Sequence, residues 1–234
     1  MTQQIAVMQR YELKYLLSAE QTDVLKERLN GHMVLDEHGL TSIGSLYYDT
    51  PDHRLIRTSM DKPEFKEKIR LRSYGLATGA SPVYLELKRK AAGIVYKRRV
   101  KTTIPAVEDF FAGGDICEGS QINRELTYFR DYYKELAPAC LIMYDREAFF
   151  EPDGDLRLTI DHNLRYRLDD LNLTTSMEGR RLREPGVSVL EIKVQQAMPL
   201  WLAHVLDEGG IRKNSFSKYG EAFRLSMERK RHYV

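Results

Sequence analysis

The stretch FKEKIRLRSY (residues 65–74), followed by PVYLELKRK (residues 82–90), decides how this chain is read. Both alternate with period 2, the repeat of a strand whose side chains point to opposite faces. In the first, Ile69 and Leu71 share one face, while Lys66, Lys68, Arg70 and Arg72 share the other. In the second, Val83, Leu85 and Leu87 oppose Tyr84, Glu86 and Lys88. A third run, residues 93–102, follows at once, and Ala91, Ala92 and Gly93 suit a tight turn between them.

The pattern recurs elsewhere. Residues 10–17 set Tyr11, Leu13 and Tyr15 against Glu12 and Lys14. Residues 156–161 set Leu156, Leu158 and Ile160 against Arg157, Thr159 and Asp161. Residues 187–195 set Leu190, Ile192 and Val194 against Glu191 and Lys193. Residues 42–49 and 140–150 also read as strands, the latter with Arg146 on the face of Ile142 and Tyr144. Helices are expected over residues 19–29, 105–111, 122–136, 199–206 and 217–229. Ser18 with Gln21 forms a capping box for the first, and Gly31 ends it.

Composition narrows the class. The chain has 234 residues, with 36 Lys plus Arg against 34 Asp plus Glu, for a net charge of +2. A hydrophobic fraction of 42% is enough for a core, so wholesale disorder is excluded. No run reaches the roughly 20 apolar residues of a membrane-spanning helix, and the first residues lack a signal peptide's apolar core. Two cysteines, Cys117 and Cys140, are too few for a disulfide scaffold or a thiolate zinc site, and suit a reducing cytoplasmic compartment. The six histidines show no metal-ligand spacing. Near-neutral charge argues against a general nucleic-acid binder. No repeat or linker divides the chain, so one domain over residues 1–234 is expected.

Two arrangements fit the strands. One is a half-buried antiparallel sheet with its charged face in water. The other curls the sheet into a barrel with charged faces inward and helices packed outside. Lys14, Arg70, Arg72, Lys88, Arg157 and Lys193 would then share one face. Such crowding repels itself unless an anion neutralises it. Guanidinium groups grip two phosphate oxygens each, ammonium groups act as point charges, and carboxylates among them suit a divalent cation.

The ordered segments RYELKY, SLYYDT, KIRLRSYG, YLELKRK, YKRRV, YDREAF, LRLTID, LEIKV and SFSKYGEAF resemble the VTC domain. This is the polyphosphate polymerase domain of the vacuolar transporter chaperone proteins, within the triphosphate tunnel metalloenzyme (CYTH-like) superfamily. The resemblance runs from about Arg10 to Arg224. It implies an α+β fold built on an eight-stranded antiparallel tunnel barrel with a charged lumen. It implies transfer of the γ-phosphoryl of ATP onto polyphosphate, with Mn²⁺ or Mg²⁺, and phosphate or pyrophosphate as further ligands.

The resemblance also assigns residues. Arg70, Arg72, Lys88, Arg146, Arg157 and Lys218 become the catalytic clamp on the phosphates. Lys14, Lys97, Tyr144, Ser217 and Tyr219 become substrate-binding, with Arg98 and Arg99 competing with Lys97 for its position, and Lys193 joins them from the charged face of its strand. Glu191 becomes the metal ligand, with Glu12 or Glu86 beside it. The hydrolase and cyclase branch opens with Glu-x-Glu-x-Lys, whereas this chain has Arg10-Tyr-Glu12-Leu-Lys14, which favours the VTC branch. A triphosphate or tripolyphosphate hydrolase and a non-catalytic polyphosphate or nucleotide sensor are the alternatives. Coupling to membrane transport would need a separate membrane partner.

Overall fold

The computed structural model describes residues 11–92, 94–195 and 197–232, the side chains of residues 230–232 excepted. The expectations that rest on Arg10, on Gly93 and on the side chains of Lys230 and Arg231 therefore lie outside the described residues. The elements run β1 (Tyr11–Leu17), α1 (Ala19–Leu29), β2 (Val34–Leu35), β3 (Thr41–Asp49), α2 (Arg54–Met60), β4 (Phe65–Tyr74), β5 (Val83–Ala91) and β6 (Ile94–Thr102). Then follow α3 (Ile104–Phe111), α4 (Gln121–Tyr133), β7 (Ala137–Phe150), β8 (Arg157–Arg167), β9 (Arg180–Arg181), β10 (Ser188–Val194), α5 (Leu200–Glu208) and α6 (Lys218–His232). The class is α+β, and every strand pair whose register is given below is antiparallel.

Two compact units form. The first comprises residues 11–41 together with Tyr144–Leu164 and Arg183–Phe216. Its strands lie in the order β1, β10, β8, β7, with β2 added on β7. The register aligns Lys14 with Glu191 and Glu12 with Lys193, then Glu191 with Thr159 and Lys193 with Arg157. These alternating charges of β1, β10 and β8 therefore share one face. Leu158, Ile160, Leu190 and Ile192 occupy the opposite face and pack with Leu25 and Leu29 of α1 and Leu202 and Leu206 of α5. Each such side chain removed from water contributes about 1.5–3 kcal/mol. α1 starts as its sequence dictates: Ser18 Oγ accepts from Gln21 N at 3.1 Å, and Gln21 Oε1 accepts from Ser18 N at 3.0 Å.

The second unit comprises Ser42–Met143 and Arg165–Leu182, with α6. Its strands lie in the order β7, β3, β4, β5, β6, and β9 pairs the end of β8. Leu46, Ile69, Leu71, Leu85 and Leu87 form the apolar face and pack against Val107 and Phe110 of α3 and Leu126 and Phe129 of α4. A Cβ on Gly44 would stand 2.8 Å from Leu173, so only glycine lets that core residue press onto β3. The opposite face carries Tyr47, Arg70, Glu86 and Arg99 in cross-strand line, then Lys68, Lys88 and Lys97.

α2 is a helix that hydropathy does not announce. Its N-cap, His53, has a left-handed backbone (φ 57) and makes no side-chain cap. The buried carboxylate of Asp49 does that work from the preceding strand, accepting from Leu55 N at 2.8 Å and Ile56 N at 3.0 Å.

Candidate functional site

Each unit places a carboxylate among cations on the sheet face opposite its packed helices. In the second unit this is Glu86, only 1% exposed. Arg70 Nε approaches it to 2.8 Å, Lys97 Nζ to 2.7 Å, Arg99 Nε to 3.4 Å and Arg72 Nε to 3.8 Å. Four cations thus surround one acid. Burial works to raise the Glu86 carboxyl pKa, but Arg70, Arg72 and Lys97 outweigh it and hold the group far below the ordinary carboxylate range. Burial also pushes Lys97 down to about 8, against the pull of Glu86 and helped by Arg72 and Arg70. Arg70 NH1 additionally donates to the Tyr47 hydroxyl at 3.0 Å.

The alternation settles which residue of the Lys97-Arg98-Arg99 run belongs here. Lys97 and Arg99 both meet Glu86. Arg98 points to the helix side and donates to Glu125 of α4 at 2.9 and 3.0 Å. Period-2 counting from Lys97 was the signal available for Arg99. Lys88 stands between Lys68 and Lys97 in the register.

The start of α6 meets this same charged face. Tyr219 stacks on Tyr47 with ring centroids 4.8 Å apart, and its hydroxyl donates to Asp49 Oδ2 at 2.9 Å. Burial, with Asp49 beside it, raises the Tyr219 pKa far above the usual phenol range. Tyr219 is therefore a buried anchor, and Asp49, which sequence reasoning passed over, is its socket. Ser217 Oγ accepts from Gly220 N at 3.3 Å as the helix cap and lies 3.3 Å from Lys68 Nζ. Lys218 is the first residue of the helix, half-buried.

In the first unit the corresponding carboxylate is Glu191, which is half-buried. Lys193 Nζ lies 2.6 Å from one oxygen and Lys14 Nζ 3.5 Å from the other. Lys14 also contacts Glu12 at 3.1 Å, so one ammonium bridges two carboxylates. Burial favours protonation of Glu191, but Lys193, Lys14 and Arg146 hold it well below the ordinary range. Arg146 donates twice to Asp161, at 2.6 and 2.9 Å, and its guanidinium carbon lies 5.2 Å from the Tyr144 ring centroid. Arg157 is exposed at the head of β8, over the Phe150 ring at 5.1 Å.

The three carboxylates expected at a metal thus divide between the units. Glu12 and Glu191 share Lys14, while Glu86 stands in the second unit among its own four cations. Among the described residues, no three His, Cys, Asp or Glu side chains gather into a metal cage. Nor is any helix there long and apolar enough to cross a membrane.

The fold itself is shared with solved structures described as candidate cyclases. One, from Bacillus halodurans, is described as a candidate adenylate cyclase; it is 15% identical, with a TM-score of 0.52, covering 90% of this chain and 96% of that one. Another, from Hippeastrum, is a candidate adenylyl cyclase described as having a dominant triphosphatase activity; it is 19% identical, with a TM-score of 0.54, covering 92% and 95%. Comparison with curated proteins gives no match. The VTC domain model matches residues 9–227, and the chain belongs to the VTC domain family. The ordered motifs pointed to the same family.

Proposed function

We propose that this chain is a polyphosphate polymerase that transfers the γ-phosphoryl group of ATP onto the end of a polyphosphate chain. The observation that carries this reading is the Glu86 cluster, where Arg70, Arg72, Lys97 and Arg99 converge on one buried acid. Membership of the VTC family supplies the substrate class. A single carboxylate leaves the cluster cationic, and confined like charges favour an anion rich in oxygens. Arg70, Arg72 and Arg99 offer forked donors suited to phosphate, and Lys88 and Lys97 add point charges.

Phosphoryl transfer calls for positioning and charge neutralisation more than for a covalent catalyst. The terminal oxygen of phosphate or polyphosphate attacks Pγ, the bond from Pγ to the bridging oxygen breaks, and ADP leaves with that electron pair. The nucleophile is already anionic, so no general base is required. The arginines hold the equatorial oxygens where charge develops. Within the first unit, Arg146, fixed by Asp161, with Arg157, Lys14 and Lys193, offers a separate set of donors suited to phosphate oxygens. Tyr144 sets the Arg146 plane, and Ser217 and Tyr219 seat Lys218.

Mg²⁺ or Mn²⁺ fits one place better than the others. Glu191 and Glu12 offer hard oxygen donors already gathered on one ammonium, matching a metal held by one or two carboxylates and completed by substrate phosphates. Glu86, held by four cations, fits a counter-charge instead. When bound, the metal neutralises charge on the phosphate oxygens.

The test incubates purified protein with ATP and Mn²⁺ and resolves the products on a gel stained for polyphosphate. Long polymer with ADP is expected from the wild type, and neither from Glu191→Gln or Arg72→Ala folded to the same degree. Orthophosphate release without polymer would replace the polymerase with a triphosphate hydrolase. Binding without turnover would make the chain a sensor.

A further inference from the structure

The charged face of the second unit ends in two aromatic rings. Counting by two along β4 from Arg70 and Arg72 leads to Tyr74, and counting back along β5 from Glu86 leads to Tyr84. Arg72 stands opposite Tyr84 in the register, and Arg99 opposite Glu86. The Tyr74 and Tyr84 rings meet edge to face, with centroids 5.6 Å apart and planes at 82°. Arg99 ties this pair to the cluster. Its guanidinium carbon lies 3.8 Å from the Tyr84 ring centroid, its NH2 donates to the Tyr74 hydroxyl at 2.9 Å, and its Nε lies 3.4 Å from Glu86. Tyr84 is half-buried, whereas Tyr74 is 47% exposed. β4 ends there, and Gly75 turns the chain with a left-handed backbone (φ 74).

We propose that Tyr74 is the stacking face for the base of a nucleotide whose triphosphate runs to the cluster around Glu86, and that Tyr84 and Arg99 hold its ring in place. This rests on the reading of the chain as an ATP-dependent enzyme, and adds the residues that tell a nucleotide from a bare phosphate chain. Linear polyphosphate is all charged oxygen, and the face of an aromatic ring is its negative side, so a ring presented beside an anion cluster offers that ligand nothing. A nucleoside triphosphate carries a flat base at one end, and bases stack on aromatic rings and on guanidinium planes. Both surfaces stand together here, on residues next to the phosphate donors. The edge-to-face contact with Tyr84 and the bond from Arg99 fix the Tyr74 ring before any ligand arrives, which spares the ordering cost an exposed side chain otherwise pays on binding. Arg99 meets both halves of the ligand: its plane lies among the rings and its charge lies beside the phosphates.

The test measures affinity for the non-hydrolysable ATP analogue AMP-PNP and for tripolyphosphate in the wild type, Tyr74→Ala and Tyr74→Phe. Tyr74→Ala should bind AMP-PNP about tenfold more weakly, within the range of base–aromatic stacking, and tripolyphosphate within about twofold of wild type. Tyr74→Phe keeps the ring without the hydroxyl, and should bind both ligands within about threefold of wild type. Equal losses for the two ligands in Tyr74→Ala, or a Tyr74→Phe variant as weak for AMP-PNP as Tyr74→Ala, overturns the stacking role, because the residue then acts only by holding Arg99. Unchanged AMP-PNP affinity in Tyr74→Ala overturns it too. These results leave the phosphate cluster intact. Wild-type protein that binds tripolyphosphate but not AMP-PNP overturns the ATP reading on which the stacking rests, and binding of neither ligand overturns the phosphate cluster as well.

Discussion

Arg146 and Asp161 are joined by two parallel hydrogen bonds, of 2.6 and 2.9 Å, with the carboxylate wholly buried. A fork of this kind fixes the plane of the guanidinium as well as its place. Removing one partner breaks both hydrogen bonds and leaves the other charge in a largely dry place with less to balance it, which costs up to about 3–5 kcal/mol. Asp161→Ala should therefore lower the urea midpoint strongly. Arg146→Lys keeps the charge but loses the fork, and should lose polymer synthesis out of proportion to its loss of stability. Parallel denaturation and synthesis assays check both.

Adjacent arginines on β6 should behave as opposites. Arg98 lies on the helix side with Glu125, and Arg99 lies on the charged side with Glu86. Arg98→Ala should melt at lower temperature and still bind tripolyphosphate. Arg99→Ala should stay near wild-type stability and bind tripolyphosphate several-fold more weakly, by about 1 kcal/mol. Calorimetric binding beside thermal melting separates the two, and equal behaviour would refute the face assignment.

The acid at the centre of the second cluster yields a test by linkage. Glu86→Gln removes the counter-charge from four cations, so the variant should be less stable than wild type. Added tripolyphosphate should then raise its melting temperature by more than it raises that of the wild type, because a ligand stabilises according to its affinity for the folded form. A smaller rise in the variant would contradict an anion site there.

Binding should depend on pH through Lys97. Its folded pKa is pushed down to about 8, so the free protein loses this charge as pH rises through that value. A bound phosphate chain restores the proton, and affinity for tripolyphosphate should fall progressively above about pH 8. Lys97→Arg keeps its charge throughout and should flatten that limb. Titration calorimetry across the range, in buffers of different ionisation enthalpy, reads the affinity and the proton uptake together.

Much of this was legible in the sequence because strand period and helix capping are local. Ser18 and Gln21 gave the start of α1, and alternation put Arg70, Arg72, Glu86 and Lys88 on one face, where the register places them. What stayed hidden depends on distant partners. α2 is capped by Asp49 through its side chain, a role no cap motif at His53 announces. β8 continues past residue 161 to Arg167 through Asn163, whose backbone is left-handed (φ 49), so alternation counted straight along the chain fails there. Tyr219 reads as a ligand-binding residue from its motif, yet its hydroxyl is engaged by Asp49, 170 residues away. No local pattern predicts that pairing.

The Asp49 carboxylate carries two loads at once. One oxygen accepts from Leu55 N, while the other accepts from Ile56 N and the Tyr219 hydroxyl, so the start of α2 and the start of α6 hang from a single pin. Withdrawing it would slacken both helices together, and Lys218 would lose its bearing without itself being touched.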